Sequence, residues 1–255
     1  MFERELDLST QKGKGVLLLG PRRTGKSTYL RHCFPSATLI DLLDSKTHRT
    51  LSARPETLTE IVRGTDEHAP IIIDEIQRIP ELTNEVQRIL FERPKIQFIL
   101  TGSSARKLKK SGTNLLAGRL SPRTFCPITT AELRTDENVE LTYRDLIAWG
   151  GLPPVLLSTQ REAELHDYID LYLREEVQLE ANVRNLGQFS RFLEVAALNT
   201  AQTINYANVA NDAQVPASTV RDYFQLLDDT LLGQILPAFT KTWWCSTFGA
   251  CIHPS

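Results

Sequence analysis

Residues 20–27 are the part of the sequence that most limits how the chain can fold. They read Gly-Pro-Arg-Arg-Thr-Gly-Lys-Ser, which puts two glycines, a lysine and a hydroxyl in the spacing GxxxxGK[ST]. An apolar run, Val16–Gly20, precedes them, and a helical stretch, Lys26–His32, follows. Glycines at these positions let successive backbone amides point inward, and the helix N-terminus adds partial positive charge. The pattern predicts a phosphate-binding loop between a strand and a helix.

The fixed positions of this loop each have a role in binding a nucleoside triphosphate. The lysine reaches the β- and γ-phosphates, and the hydroxyl that follows it ligates Mg²⁺. Arg22 and Arg23 occupy variable positions, where a solvated side chain and a loose contact with phosphate are both open interpretations. The predicted nucleotide-binding residues are Gly20, Arg23, Thr24, Gly25, Lys26, Ser27 and Thr28.

Thr38–Leu42 is a second apolar run. A third apolar run, Ile71–Asp74, ends in a carboxylate, and Glu75 follows it directly. Asp74 is predicted to hold the metal ion together with Ser27, because a strand ending in Asp delivers a carboxylate beside the phosphate loop. A carboxylate at Glu75 can orient and deprotonate the attacking water. The adjacent acidic pair favours an ATPase over a small nucleotide kinase or a GTPase, and no plausible guanine-reading NKxD motif occurs.

Hydroxyl groups mark the end of a further apolar run, Gln97–Gly102. The carboxyl ends of strands in a parallel α/β sheet face the ligand. Thr101 or Ser103 is therefore predicted to contact the γ-phosphate or to position the water. The alternative for each is an ordinary strand-end turn with satisfied hydroxyls.

Short apolar runs alternate with helical stretches up to about residue 150, which predicts an α/β fold with a parallel sheet flanked by helices. The apolar run Thr124–Ile128 is a candidate fifth strand. From about residue 160 the pattern is helical only. Residues 1–150 carry a net charge of +4 and the remainder −6, and the change falls at Trp149–Pro154, which contains helix and strand breakers. The predicted domains are a P-loop core at 1–150, a helical unit at 151–240 and an irregular tail at 241–255.

The composition excludes several classes of protein. Of the 255 residues, 29 are Lys or Arg and 31 are Asp or Glu, so a strongly basic nucleic-acid coat is absent. The 4 cysteines form no CxxC pair. The longest apolar run falls far short of the roughly 20 residues of a membrane helix, and the N-terminus lacks the apolar core of a secretory signal. We therefore expect a cytoplasmic protein with reduced thiols and no membrane partner.

Four segments carry a resemblance to a known family. GPRRTGKST, IIIDEIQRIP, FILTGSSARKL and LLAGR, in this order, resemble a group of prokaryotic ATPases in the AAA+ superfamily. The resemblance covers roughly residues 13 to 240. It implies an AAA-like P-loop core followed by a winged-helix-like segment. The group's C-terminal domain of unknown function, which is nuclease-like, is expected to be missing here, as in a truncated or frame-shifted chain.

The resemblance also implies roles for individual residues. It assigns Lys26 and Ser27 to phosphate and metal, Asp74 to the metal and Glu75 to the base. Ser103 matches the polar sensor of the fourth strand. Arg119 matches the arginine of the group's GR motif, which stabilises charge in the transition state from the same chain or from a neighbouring subunit. A salt-bridging surface arginine is the other interpretation of Arg119.

The C-terminal helical unit contains a pattern typical of a helix-turn-helix, Ile204–Ala210 followed by Val215–Val220. A duplex-binding surface needs several lysines or arginines on phosphates, and a segment of net charge −6 does not supply them. We therefore predict a lid or protein-contact module rather than a DNA-binding one. A homo-oligomer or a protein partner is left open.

Together these observations predict an enzyme that binds ATP with Mg²⁺ and hydrolyses it to drive a conformational change between core and helical unit. The alternative is a nucleotide-dependent regulatory switch or scaffold with little turnover, with association to DNA left open. Glu75 favours the enzyme.

Overall fold

The computed structural model describes residues 2–8, 14–66, 69–103, 119–133, 140–172, 177–178, 183, 185–238 and 251–254. By packing, the chain forms two compact units, Met1–Arg161 and Glu162–Ser255. The three domains expected from the sequence, with boundaries at residues 150 and 240, stay a prediction. No helix in the described ranges is long and apolar enough to cross a membrane.

A parallel sheet is the framework of the first unit. Its strands are β1 (Gly15–Leu19), β2 (Thr38–Asp41), β3 (Ile71–Asp74), β4 (Phe98–Gly102) and β5 (Leu120–Thr124). They lie in the order β2-β3-β4-β1-β5, and this arrangement confirms the predicted α/β fold.

Side chains that alternate along β1, β3 and β4 enter two different cores, because successive residues of a strand point to opposite faces. The helices that cover the two faces are α1 (Lys26–Cys33), α2 (Ser45–Ala53), α3 (Thr57–Arg63) and α4 (Leu82–Glu92). In β3, Ile71 and Ile73 pack in one cluster with α2, α3 and α4, and Ile72 packs in the other with α1. Both faces are thus covered, which explains why these three strands are almost continuously apolar.

The fifth strand differs from the sequence prediction, which placed it at Thr124–Ile128. It lies four residues earlier, at Leu120–Thr124, and contains Pro122. β5 is an edge strand of the sheet, where a proline without an N–H is tolerated. Apart from Leu120, its side chains are partly buried or exposed, so its sequence needs no continuous apolar run. The predicted breaker cluster is also partly helical. Three short helices follow β5, namely α5 (Thr130–Leu133), α6 (Tyr143–Trp149) and α7 (Pro153–Leu157).

The second unit is built from helices around an aromatic core. Phe189, Phe192 and Phe224 are almost fully buried, and the rings of Phe192 and Phe224 meet edge to face with centroids 4.9 Å apart. Tyr223 packs edge to face on Phe189 at 4.9 Å. The helices are α8 (Arg161–Tyr172), which begins at the last residue of the first unit, α9 (Leu186–Leu198), α10 (Tyr206–Ala213) and α11 (Ala217–Asp229).

A two-stranded antiparallel sheet completes the second unit, so this unit is not all-helical as the sequence predicted. β6 (Gly233–Leu236) pairs with β7 (Cys251–Pro254). The tail was expected to be irregular because it has no helical or strand periodicity, yet backbone pairing with β6 orders residues 251–254 as a strand. Residues 241–250 and 255 of the tail lie outside the described residues.

Candidate active site at the carboxyl end of the sheet

The loop between β1 and α1 has the backbone that its glycines predict. Gly20 lies so close to the chain after β5 that an added Cβ would stand 2.2 Å from the carbonyl oxygen of Phe125. Gly25 caps the N-terminus of α1 with φ of 92°, which is left-handed and strained for other residues. Arg23 also has a positive φ, of 62°. The loop therefore curls tightly onto the N-terminus of α1.

Lys26 is buried and oriented by the loop itself. Its Nζ donates to the carbonyl oxygens of Gly20 at 2.7 Å and of Pro21 at 2.8 Å, and the residue is 7% exposed. Thr24 is fully buried, and its hydroxyl donates to the carbonyl of Pro21 at 2.9 Å. The Thr24 side chain thus braces the loop, so any contact of Thr24 with a phosphate would come through its backbone.

Ser27 and Asp74, the two predicted metal ligands, lie side by side. Ser27 Oγ donates to Asp74 Oδ2 at 2.9 Å. The other carboxylate oxygen of Asp74 accepts a hydrogen bond from the hydroxyl of Thr101, which is fully buried. A hydroxyl and a carboxylate are hard oxygen donors of the kind that Mg²⁺ prefers, so this pair fits the ion. Thr101, which was predicted to contact the γ-phosphate or the water, holds Asp74 here.

Glu75 directly follows Asp74 in the chain and has a left-handed backbone conformation, with φ of 61° and ψ of 46°. Its backbone N–H donates to Thr101 Oγ1 at 3.3 Å. Burial raises the pKa of the Glu75 carboxyl and the charge of Asp74 adds to this, whereas the positive charges of Arg22 and Lys26 act in the opposite direction. A carboxylate with a raised pKa is a stronger base, which suits the predicted role.

Gln77 is a residue of this cluster that the sequence analysis missed. Its side-chain Nε2 donates to the carboxylate of Glu75 and, at 3.1 Å, to Ser103 Oγ. Gln77 and Ser103 are each 1% exposed. A glutamine two positions after the acidic pair, between the apolar residues Ile76 and Ile79, was the available signal. The structure thus brings together the ends of β3 and β4 beside the loop.

A cavity of about 300 Å³ opens on the other side of the loop. Arg23, Thr24 and Gly25 line it from the loop and Thr28 from the first turn of α1, facing a largely apolar wall. Arg23 and Thr28 thus adjoin a space beside the phosphate loop. The apolar residues of the wall are Phe2, Phe125, Ile128, Pro153, Pro154 and Leu157.

Arg4 fastens the N-terminal segment to this loop, a contact that the sequence analysis also missed. Its Nη1 donates to the carbonyl of Thr24 at 3.1 Å, and its Nε pairs with Glu132 Oε1 at 2.9 Å. The guanidinium also donates to the carbonyl of Cys126 and lies 4.0 Å from the ring centroid of Phe125. One side chain therefore ties the segment, the loop, the chain after β5 and α5 together.

Arg119 lies at the opposite end of the sheet from the loop. Its carbonyl accepts a hydrogen bond from the N–H of Gly15, at the start of β1, whereas the loop follows the end of that strand. The five residues of β1 separate the two places by about 16 Å, at roughly 3.3 Å per residue. The Arg119 guanidinium lies 4.8 Å from the ring centroid of Phe91. The structure therefore does not bring Arg119 to the loop of its own chain.

Two family models match the sequence. One is described as an AAA domain and matches residues 12–134, a range that contains the loop and both strand ends of the site. The other is described as a domain of unknown function, DUF8612, and matches residues 140–247. The expectation that a domain of unknown function is missing was therefore wrong: the helices assigned to the winged-helix-like segment lie inside one. No curated protein matches the sequence.

Solved structures with an overall likeness include a Signal Transduction ATPase with Numerous Domains (STAND) protein with a tetratricopeptide repeat sensor from Pyrococcus horikoshii. It is 14% identical, with a TM-score of 0.38, and the match covers 94% of this chain and 38% of that one. Drosophila ORC bound to AT-rich DNA and Cdc6 is 12% identical over 95% of this chain and 82% of that chain, with a TM-score of 0.31. A DNA replication initiation factor is 15% identical over 81% and 67%, with a TM-score of 0.33. Likenesses this low carry no conclusion about function.

The assignment of the first unit follows from the sequence match and the geometry of the loop together. The AAA domain match contains Lys26, Ser27 and Asp74, and the structure sets these residues around a glycine-shaped loop at the carboxyl end of a parallel sheet. Residues 12–134 of the chain therefore carry an AAA domain with a P-loop.

Proposed function

We propose that this protein binds ATP together with Mg²⁺ and hydrolyses it. The observation that carries the proposal is the 2.9 Å hydrogen bond between Ser27 Oγ and Asp74 Oδ2, beside the Lys26 ammonium. This arrangement supports a site with two oxygen ligands for the metal and one fixed cation for the phosphates. A phosphate-binding loop in an AAA domain accepts a nucleoside triphosphate, and Mg²⁺ would neutralise charge on its β- and γ-phosphates.

The chain's own residues divide the work of hydrolysis. The backbone amides of the loop and Lys26 would bind the phosphates, and Ser27 and Asp74 would hold the metal ion. The Glu75 carboxylate, raised in pKa by burial, accepts the proton of the attacking water. Ser103, at the end of β4, contacts the γ-phosphate, and Thr101 keeps Asp74 oriented.

We assign the apolar cavity beside the loop to the nucleobase of ATP. Its volume of about 300 Å³ lies at the small end of ligand pockets, and its lining is mostly apolar with a few polar groups. Arg23 and Thr28 line this cavity, so we assign them to the nucleoside rather than to the γ-phosphate.

A role for Arg119 in this function requires a second copy of the chain. The side chain of an arginine cannot span the length of β1 to reach its own loop, so Arg119 would act on a nucleotide held by a neighbour. The exposed ring of Phe91, on which the guanidinium packs, would be part of that contact. Hydrolysis would then be coupled to assembly and to a conformational change involving the second unit.

We assign the second unit to protein contact rather than to DNA. On the exposed face of α11, Arg221 packs against the ring of Tyr206 at 5.2 Å, and its neighbour Asp222 is exposed. Duplex binding of nanomolar affinity that falls steeply with salt would contradict this assignment. The winged-helix-like character of the unit and a cytoplasmic location remain predictions.

The test of nucleotide binding is Lys26→Ala, with Lys46→Ala as the control, because Lys46 is an exposed lysine of α2. Titration with a fluorescent ATP analogue should give a Kd raised at least 100-fold for Lys26→Ala, since two charge-assisted contacts are worth about 3 kcal/mol. Lys46→Ala should bind like the wild type. Unchanged affinity of Lys26→Ala would contradict the assignment of the loop.

Steady-state turnover separates the enzyme from the nucleotide-dependent switch. A rate on the order of 1 s⁻¹ or faster is expected of an enzyme. Binding without measurable turnover would favour the switch or scaffold.

A further inference from the structure

Gln77 is a buried amide that the roles assigned so far do not use. It lies on the 3-10 helix Ile76–Arg78, which follows β3, and is 1% exposed. Its Nε2 donates both to the carboxylate of Glu75 and to Ser103 Oγ. One NH₂ group therefore joins the two strand ends that carry the proposed base and the proposed γ-phosphate contact.

The partners of this amide fix its orientation. A carboxylate only accepts hydrogen bonds, so the NH₂ group must face Glu75. The amide oxygen then points at β4, where a Cβ on Gly102 would stand 2.6 Å from it. The absence of a side chain at Gly102 is what lets Gln77 pack against the end of this strand.

This packing leaves the amide oxygen without a hydrogen bond. Gln77 Oε1 is buried and has no partner among the described residues. A buried acceptor left unpaired costs roughly 1–3 kcal/mol. A methionine of similar size would avoid that cost, so packing alone does not explain a glutamine here.

We propose that Gln77 is a positioning residue that couples Ser103 to Glu75. The inference rests on the proposed function, in which Ser103 contacts the γ-phosphate and Glu75 activates the water. Because the same NH₂ group holds both side chains, a movement of Ser103 toward a γ-phosphate alters the hold on the Glu75 carboxylate. The base is thereby directed to the water when ATP is bound and not when ADP is bound.

Gln77→Met separates this role from a structural one. It removes the NH₂ group at nearly constant volume, so the protein should melt within a few degrees of the wild type. The Kd and KM for ATP should stay within about twofold, while kcat falls about tenfold or more, because a displaced general base loses much of its effect. The control is Gln225→Met, on the exposed face of α11 in the second unit, which should leave the Kd, the KM and the kcat unchanged.

A second variant and a double variant complete the kinetic test. Gln77→Asn keeps the amide but is one methylene too short to hold both partners, so the same loss of kcat is expected. Ser103→Ala should cost less kcat in the Gln77→Met background than in the wild type, since the coupling is already broken and only the direct contact of Ser103 with the γ-phosphate is left to lose. Unchanged kcat in both Gln77 variants, a parallel loss of affinity and kcat, or fully additive losses in the double variant would each overturn the proposal.

A spectroscopic measurement on the full chain does not depend on turnover. The side-chain NH₂ signal of Gln77, identified by its loss in Gln77→Met, should shift in an NMR spectrum when a non-hydrolysable ATP analogue with Mg²⁺ is added, and not with ADP and Mg²⁺. No shift, or the same shift with both nucleotides, would overturn the coupling. A wild-type protein that binds ATP without hydrolysing it would contradict the proposed function alone, and this spectrum would still decide the role of Gln77.

Discussion

At the residue scale, Gly20→Ala should destabilise the first unit. The new Cβ would stand 2.2 Å from the carbonyl oxygen of Phe125, a backbone atom that cannot turn aside. Overpacking of this kind costs about 1–3 kcal/mol, or more where the backbone must move. Gly64→Ala is the control, because its Cβ would meet nothing nearer than 3.5 Å and its backbone is right-handed. Thermal melts should give a clearly lower Tm for Gly20→Ala alone, and equal melting of both variants would refute the close approach.

Single residues of the loop could be predicted because their chemistry depends on local spacing. Gly20, Lys26 and Ser27 belong to one short motif, and the structure gives each the surroundings that the motif requires. Gln77 could not be predicted in the same way, because its partner Ser103 is 26 positions away. The contact exists only because β3 and β4 are neighbours in the sheet.

At the scale of elements, apolar runs predicted four strands of the sheet well and the fifth badly. β1, β3 and β4 are buried on both faces, so each is largely an apolar run. β2 is an edge strand in which only Ile40 is buried, yet its short run Leu39–Ile40 was enough to predict it. β5 is an edge strand with the sequence Leu-Ser-Pro-Arg-Thr, in which apolar patterning is weak. Helix α6 was missed because the glycines and prolines after it suggested a linker. The pair Thr142 and Asp145, spaced as in a capping box, was the signal for its N-terminus.

The N-terminal cap of α6 makes the stability of the protein depend on pH in a predictable way. Asp145 accepts hydrogen bonds from the hydroxyl and the N–H of Thr142 and pairs with Arg161 at 2.7 Å. These contacts, led by the Thr142 hydroxyl, lower the pKa of Asp145 from its ordinary value of 3.8 to about 2. A lowered pKa in the folded state stabilises the protein above the unfolded value, and this contribution is lost as the pH falls through the folded value.

Asp145→Asn should therefore have a lower Tm than the wild type at pH 6, and the difference should shrink between pH 4 and about pH 2. Melts of both proteins across this range provide the measurement. Glu3→Gln, at an exposed position of the N-terminal segment, is the control for loss of a carboxylate. A Tm difference that stays constant as the pH falls would mean that the ionised cap does not stabilise α6.

At the scale of the whole molecule, the position of Arg119 predicts that hydrolysis needs two copies of the chain. Arg119→Ala should bind ATP normally and turn over slowly. Mixing it with Glu75→Gln should restore part of the activity, because the intact Arg119 of one variant can reach the intact site of the other. The control is a mixture with the double variant Glu75→Gln/Arg119→Ala, which should restore none. Equal activities of the two mixtures would exclude action across a subunit boundary.

The turnover and the ATP affinity of Glu75→Gln decide whether Glu75, beside the Ser27–Asp74 pair, makes this chain an ATP hydrolase. We expect Mg²⁺-dependent release of phosphate by the wild type, a fall of about 100-fold or more in the turnover of the variant, and unchanged ATP affinity, because only the general base is removed. Glu60→Gln, at an exposed position of α3, should behave like the wild type. Turnover by Glu75→Gln at the wild-type rate, or an equal loss of binding and turnover, would exclude Glu75 as the general base.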